Sequence, residues 1–234
     1  MQSRIGLLIA LACVVCAGAS RHAMRGPSAH TQQRDARFWS CYAGLVRDLR
    51  SDAPADGHST GGHWPARMTQ YATLAAGRDV DTICETGFGT GSDAATFLCG
   101  SRSASLIAWG IMSVDEAQRI TTHFDRHFPG RFKLTHVNTH DRHVDPVPHL
   151  AAMKCDIVAL NGDFDTITAD LRSFVPVVHE TTILLVNSVN CVHTRCTEPT
   201  RAWDRAIQNK QIANTGCLEN KNEDHGWCSG LFRL

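Results

Sequence analysis

The sequence lacks an excess of either charge, a long apolar run and the common hydrolase signature. Its 234 residues carry 23 basic and 23 acidic side chains, so no basic surface is predicted and nucleic acid is not expected as a partner. No apolar run reaches the roughly 18 to 20 residues that cross a bilayer core, so no membrane span is predicted beyond a possible N-terminal anchor. A GxSxG elbow is missing, which argues against a serine hydrolase. With 43% hydrophobic and 7% aromatic residues, the chain can bury one ordinary core.

The first 19 residues are typical of a secretory signal peptide. Arg4 precedes an apolar segment at residues 5–16, and residues 17–19 read Ala-Gly-Ala, the small-x-small pattern that signal peptidase recognises. An uncleaved signal anchor is the alternative. We therefore expect either a secreted or secretory-pathway protein, or a single-pass protein whose body is lumenal.

Ten cysteines are present, and two of them, Cys13 and Cys16, lie in the predicted leader. Four others cluster in polar, loop-rich sequence near the C-terminus and are predicted to form disulfides in an oxidising compartment: Cys191, Cys196, Cys217 and Cys228. A zinc site built from the same four is the alternative, although they lack CxxC spacing. Of the remaining four, Cys41 is not assigned, and three lie in apolar stretches and are predicted to be buried thiols: Cys84, Cys99 and Cys155.

The part of the chain before the main domain is predicted to be a polar tether and one helix, residues 20–63. Apolar side chains from Phe38 to Leu49 recur at three- and four-residue steps, which predicts an amphipathic helix over residues 34–50. A second helix is predicted at residues 65–76, with Pro65 in its first turn.

From residue 81 onward, short apolar segments alternate with amphipathic ones, as strands and helices do in an α/β fold. Strands are predicted at residues 81–85, 104–112, 132–137, 156–160 and 181–186, with helices between them at 92–99, 115–128, 147–153 and 164–174. Because the strands are continuously apolar, we predict a parallel sheet that is covered by helices on both faces. After a helix at residues 202–207, weak strands at 212–218 and 227–232 predict an antiparallel edge hairpin.

A glycine-rich turn, ICETGFGTGS, occupies residues 83–92 at the end of the first strand. Alternating glycines let a ligand approach the backbone, and the next helix begins with unpaired N–H groups at the edge where α/β proteins bind ligands. A dinucleotide fits poorly, because Ser92 replaces the last glycine of GxGxxG and no acid follows the second strand before Asp115. Glu85, placed before the glycines, favours a ligand with a cationic end.

Residues 83–98 resemble motif I of the class I S-adenosylmethionine-dependent methyltransferases, in the branch whose first loop reads approximately ICEIGFNAGHSA. The resemblance continues in order across residues 65–232, through segments 128–132, 157–162, 181–186, 190–203 and 225–228. It implies a methyltransferase-like domain at residues 64–234. The implied fold is a Rossmann-like three-layer sandwich with a mostly parallel seven-stranded sheet and an antiparallel C-terminal edge hairpin.

The resemblance also implies that S-adenosylmethionine binds at this turn. The cofactor-binding residues would be Glu85, Gly87, Phe88, Gly89, Gly91, Asn138 and Asn161. Acids that the family carries near the donor are replaced by neutral residues at four positions: Gly110, Asn138, Asn161 and Asn187. A carboxylate that accepts a ribose hydroxyl contributes about 1.5 to 3 kcal/mol per charge-assisted hydrogen bond, so these replacements weaken donor recognition.

Catalytic residues are only weakly indicated. His140 and His143, with His136 and Asp141, follow the third predicted strand, where a general base or a zinc ligand set can lie. The chain has 13 histidines, so coincidence is the simpler explanation of this cluster.

Two acids, Asp163 and Asp165, follow the fourth predicted strand. They either contribute to the site, with Asp163 as a candidate catalytic group, or cap the next helix. No metal site is predicted, because the positions that would supply carboxylate ligands are asparagines. His123 and His127 share one helix face without a partner motif, so a solvated face is the simpler interpretation.

Two functions are therefore kept open. The first is methyl transfer from S-adenosylmethionine to an unknown small-molecule or protein acceptor, which the glycine turn and Glu85 favour. The second is a catalytically inactive methyltransferase-fold protein with a binding or structural role, which the four lost acids favour. A cation-binding module that uses Asp163 and Asp165 is a third hypothesis.

Overall fold

A computed structural model describes residues 29–51, 65–137, 145, 147–150, 153–162, 166–191, 196–218 and 226–234. The predicted leader, residues 1–19, lies outside these ranges, as do Asn138, His140, Asp141, His143, Asp163 and Asp165. None of the described helices is both long enough and apolar enough to cross a membrane.

Strands and helices alternate along the described chain, as the sequence pattern predicts. The strands are β1 (Thr82–Thr86), β2 (Ser105–Ile111), β3 (Phe132–Val137), β4 (Ile157–Leu160), β5 (Ile183–Asn187), β6 (Ile212–Leu218) and β7 (Trp227–Phe232). The helices are α1 (Ala29–Ser51), α2 (Pro65–Ala75), α3 (Ser92–Gly100), α4 (Val114–His127), α5 (Val147–Leu150), α6 (Ile167–Phe174) and α7 (Thr197–Gln208). A short 3-10 turn, Val175–Val177, follows α6 and has no counterpart in the sequence prediction.

The strands form one seven-stranded sheet in the order β3-β2-β1-β4-β5-β7-β6. Strands β1 to β5 are parallel, whereas β7 is antiparallel to both β5 and β6. The predicted mostly parallel sheet with an antiparallel edge hairpin is confirmed. The strand order reverses beside β1, and in open α/β sheets ligands bind outside the carboxyl ends of the strands at such a switch point.

Helices cover both faces of the sheet, which gives the three layers. Alternate residues of each strand point to opposite faces, so Ile83 packs in the core under α1 to α4 while Cys84 packs in the core under α5 to α7. Trp203 and Trp227 are buried. The Trp227 indole Nε1 also donates a 2.6 Å hydrogen bond to Gln70 Oε1 of α2, which ties the C-terminal strand to the N-terminal helices.

The N-terminal helix α1 packs on the domain through the face that its periodicity predicts. Phe38, Tyr42 and Leu45, at steps of four and three residues, are buried. Cys41 on the same helix is disulfide-bonded to Cys99 at the end of α3. Helix α1 is therefore both packed on and covalently bonded to the sandwich.

The structure pairs all eight described cysteines as disulfides. The bonds are Cys41–Cys99, Cys84–Cys155, Cys191–Cys196 and Cys217–Cys228. The prediction of bridges among the last four is confirmed, and the zinc alternative is not supported, because these cysteines pair with one another. The prediction of buried thiols at Cys84, Cys99 and Cys155 is wrong. An apolar stretch predicts burial correctly for Cys84 and Cys155, both fully buried, but it does not show which side chain lies across the neighbouring strand.

Candidate ligand-binding site

The glycine turn lies between the end of β1 and the start of α3, at the carboxyl edge of the sheet. Gly87, Gly89 and Gly91 have φ angles of +73°, +53° and +75°, a region that glycine enters without strain. A Cβ on Gly87 would lie 2.2 Å from the backbone oxygen of Asn161, so the turns after β1 and β4 touch through their backbones. Among the described residues, a Cβ on Gly89 would have only Gly87 O within 4 Å, at 3.8 Å. The described part of the chain therefore leaves the backbone at Gly89 open to a ligand.

Phe88 supports the turn from the core side. Its side chain is buried, with ring centroids 5.9 Å from Phe124 and 5.7 Å from Phe132. A Cβ on Gly91 would lie 2.6 Å from the Phe88 ring, so the third glycine makes room for that ring. Phe88 N donates to Trp109 O at 3.1 Å, which joins the turn to β2. Of the predicted cofactor-binding residues, Phe88 thus has its side chain in the core.

Four side chains form a buried polar group behind the turn, called here the carboxylate cluster: Glu85, Asp93, Arg67 and Asn161. Asn161 Nδ2 donates to Glu85 Oε1 at 3.1 Å and to Asp93 Oδ2 at 3.0 Å. Arg67 Nη2 donates to Asp93 Oδ1 at 2.9 Å. The fourth carboxylate oxygen, Glu85 Oε2, is buried and accepts no hydrogen bond. One carboxylate oxygen of the cluster is therefore without a donor.

Burial and mutual repulsion set the protonation of the cluster. Burial raises the pKa of Glu85 well above its ordinary value, and the Asp93 charge raises it further, whereas Asn161 and Arg67 act in the opposite direction. Burial also raises the pKa of Asp93, against the lowering effect of Arg67. Because Arg67 pairs with Asp93, Glu85 is the carboxyl that holds a proton more readily.

The end of β2 explains one of the lost acids. A Cβ on Gly110 would lie 2.5 Å from Met112 Cε and 3.1 Å from Phe88 Cβ. An acidic side chain at this position therefore needs Met112 to move. Beside it, Ile111 and Val114 are 50% and 59% exposed, so this edge of the site presents apolar surface instead of a carboxylate.

Asn187 and the described histidines have the following surroundings. Asn187 ends β5, and its Oδ1 accepts a 3.0 Å hydrogen bond from Ser188 N, which has a φ of +58°. His136 is exposed near the end of β3. The interpretation of His123 and His127 as a solvated helix face is wrong for His123, which is buried, with its ring centroid 5.2 Å from that of the exposed His127. Within the described ranges, no group of three or more potential ligands is placed to hold a metal ion.

Sequence reasoning missed two members of the carboxylate cluster, Arg67 and Asp93. Asp93 carries a weak signal, an acid in the first turn of α3, where the helix dipole favours negative charge. Arg67 carries none, because a basic residue near the start of a helix is ordinarily solvated. Both side chains are buried, at 8% and 10% exposure, and they meet only because α2 packs on α3.

A cavity of about 530 Å³ lies elsewhere, between α1, α2 and the last turn of α3. Its lining includes Trp39, Thr69, Gly100 and the Cys41–Cys99 disulfide. It contains none of the residues predicted at the glycine turn, which is at the opposite end of α3.

Comparison with known proteins identifies the type of fold. The sequence matches no known protein-family model and no curated protein. Among solved structures, the chain is similar to the S-adenosylhomocysteine-bound methyltransferase PaMTH1 of Podospora anserina, with 13% identity and a TM-score of 0.61 over 92% of this chain and 100% of that one. It is also similar to an O-methyltransferase of Bacillus cereus in complex with S-adenosylhomocysteine, with 12% identity and a TM-score of 0.62 over 97% and 99% of the two chains.

A third similar structure is the O-methyltransferase TomG of Streptomyces achromogenes in complex with S-adenosylmethionine. It has 12% identity and a TM-score of 0.58, over 96% of each chain. The chain therefore has the fold of the class I S-adenosylmethionine-dependent methyltransferases, as the resemblance predicts, and is a divergent example of it.

Proposed function

We propose that the protein binds S-adenosylmethionine at the glycine turn and transfers its methyl group to an acceptor. The observation that carries this proposal is the turn itself. Three glycines with positive φ stand at the switch point of the sheet, followed by the free N-terminus of α3, and the backbone at Gly89 is open. Solved structures with the same fold were crystallised with S-adenosylmethionine or S-adenosylhomocysteine.

The residues present fit the amino-acid end of this ligand better than its ribose. Gly87, Gly89 and the N–H groups of α3 would hold that end, and half-buried Asn161 lies beside it. Glu85 has only 1% of its surface exposed, so it supports Asn161 from below. The ribose would find no carboxylate at Gly110.

The chemistry asks the protein mainly for positioning. When bound, S-adenosylmethionine supplies an electrophilic methyl group, and aligning an acceptor with it accounts for much of the rate. A nearby base that removes the acceptor's proton would assist. His140, His143 and Asp163 remain the candidates for that base.

A second function, ligand binding without transfer, is favoured by the end of β2. The Met112 methyl group lies next to Gly110, so the end of β2 offers the ribose an apolar group where the family carries an acid. In this alternative the fold serves a binding or structural role.

We also propose a secretory or extracellular location. Four disulfides are compatible with an oxidising compartment, and residues 1–19 have the pattern of a leader. A single-pass anchor with a lumenal body remains the alternative.

Titration calorimetry of the oxidised protein with S-adenosylhomocysteine tests the donor site. We expect micromolar binding that is lost in Gly89→Leu, because the new side chain occupies the open face of the turn. Gly130→Leu is the matched control: Gly130 also has a positive φ, +68°, and open space around its Cβ.

Three outcomes separate the candidate functions. Transfer of the methyl group from a labelled donor to an added acceptor supports the enzyme, whereas binding in which no acceptor is methylated is common to both functions. Silence at millimolar ligand contradicts the donor site. A melting temperature that a chelator lowers would instead favour the cation-binding hypothesis.

A further inference from the structure

Resting on the proposed donor site, we infer that the ammonium group of the ligand replaces the Asn161 amide at the carboxylate cluster and that this exchange releases one proton from Glu85. The proposal concerns how the site is controlled. It makes donor binding dependent on pH through the chain's own buried residues.

The hydrogen bonds of the cluster carry the first step. One amide nitrogen, Asn161 Nδ2, serves both Glu85 Oε1 and Asp93 Oδ2, at 3.1 Å and 3.0 Å. Glu85 Oε2 is left without a donor. An ammonium group has three N–H donors where the amide has two, so it can replace both amide bonds and also supply the missing one.

Access supports the same exchange. Glu85 and Asp93 are buried, whereas Asn161 is half-buried and is the member of the cluster nearest to solvent. Asn161 Oδ1 also accepts no hydrogen bond. The Asn161 side chain therefore loses only its two donated bonds when it turns away, and its movement opens the way to both carboxylates.

The charges around Glu85 explain why it would release a proton when the ligand binds. Among the described residues, the charged and titratable groups that face Glu85 are Asp93 of α3, and Arg67 and Tyr71 of α2. Arg67 is bonded to Asp93 at 2.9 Å, so its charge only partly offsets the burial that favours the protonated form of Glu85. An incoming ammonium brings a second positive charge into the cluster. Glu85 then ionises, its proton passes to solvent, and the net charge of the buried cluster is unchanged.

The sign of the pH dependence follows. Protons compete with the ligand's cation for Glu85, so affinity rises with pH up to the pKa of Glu85 in the free protein. One released proton corresponds to a change of about tenfold in affinity per pH unit below that pKa.

Calorimetry in buffers of different ionisation enthalpy measures the proton directly. With S-adenosylhomocysteine as the probe, we expect the release of close to one proton in weakly acidic buffer. 5′-Methylthioadenosine, which lacks the amino-acid end, is expected to bind without releasing a proton. Glu85→Gln should abolish the release, whereas Glu180→Gln, which removes an exposed acid, should leave it unchanged.

The titration of Glu85 can also be followed without a ligand. The carboxyl carbon-13 signal that is absent from Glu85→Gln should titrate above the ordinary range of a glutamate. Binding of S-adenosylhomocysteine without proton release, or a Glu85 signal that is ionised from about pH 5 upward, overturns this inference while the donor site stands. If neither nucleoside binds, both proposals fail. If Glu85→Gln does not fold, the comparison of the two nucleosides on the wild-type protein decides.

Discussion

Replacing Arg67 by methionine should destabilise the protein strongly, because it leaves Asp93 buried without its counter-charge. The two side chains are 8% and 10% exposed and joined at 2.9 Å. Removing one partner of a buried ion pair costs about 3 to 5 kcal/mol. The Arg67 guanidinium also lies 5.6 Å from the centre of the Tyr71 ring, which adds to the loss. We therefore expect Arg67→Met to lower the free energy of unfolding by about 3 to 5 kcal/mol at neutral pH.

Urea unfolding with the disulfides intact, followed by tryptophan fluorescence, measures this loss. Asp93→Asn combined with Arg67→Met removes both charges, and the double variant should recover most of the stability, since a neutral replacement of a buried pair is often tolerated. Arg201→Met is the control. Arg201 pairs with Glu198 at 2.6 Å, but both are exposed, at 65% and 47%, so its loss should cost less than about 1 kcal/mol. Equal losses in Arg67→Met and Arg201→Met would refute the reasoning.

Three further predictions concern the turn, a disulfide and pH. Gly87→Ala should lower the free energy of unfolding by about 2 to 5 kcal/mol, because Gly87 has a positive φ and the new Cβ would meet backbone atoms. Gly130→Ala should lower it by only about 1 to 2 kcal/mol, because Gly130 has a positive φ but no described atom within 4 Å of the new Cβ. Similar urea midpoints for the two variants would contradict this. Replacing Cys84 and Cys155 by alanine should lower the free energy of unfolding by about 2 to 5 kcal/mol. Peptide mapping of the wild-type protein without reduction should recover the two cysteines as one linked pair. Free thiols at these positions would show that the disulfide does not form. Burial raises the pKa of Glu85 above its ordinary value of 4.5, so the folded protein favours the protonated form, and the contribution of Glu85 to stability is lost as pH rises through the raised pKa. Glu85→Gln should therefore flatten the dependence of the unfolding free energy on pH in that range. An unchanged slope would count against a protonated Glu85.

Much of the fold follows from local periodicity. Strand β1 is predicted at residues 81–85 and observed at Thr82–Thr86, and the apolar face of α1 with Phe38, Tyr42 and Leu45 is the buried one. Continuous apolar strands separated by helices correctly predict a parallel sheet. The bounds of helices are less well predicted, since helix α6 begins at Ile167 instead of residue 164.

The candidate site is only partly visible in the sequence. The glycines of the turn are predictable because a turn of this shape needs their φ angles. The role of the Phe88 side chain is not, because a residue inside a turn can point to the ligand or to the core, and packing against Phe124 and Phe132 places it in the core.

By itself, the sequence determined the order of strands and helices, the antiparallel edge hairpin and the position of the glycine turn, since each depends on residues close together in the chain. Only the tertiary structure decided which cysteines pair and which charges meet. Arg67 and Asp93 are 26 residues apart, and Asn161 is 68 residues from Asp93. Their contact depends on how α2 crosses α3 and how β4 lies beside β1, which side-chain packing between distant segments determines.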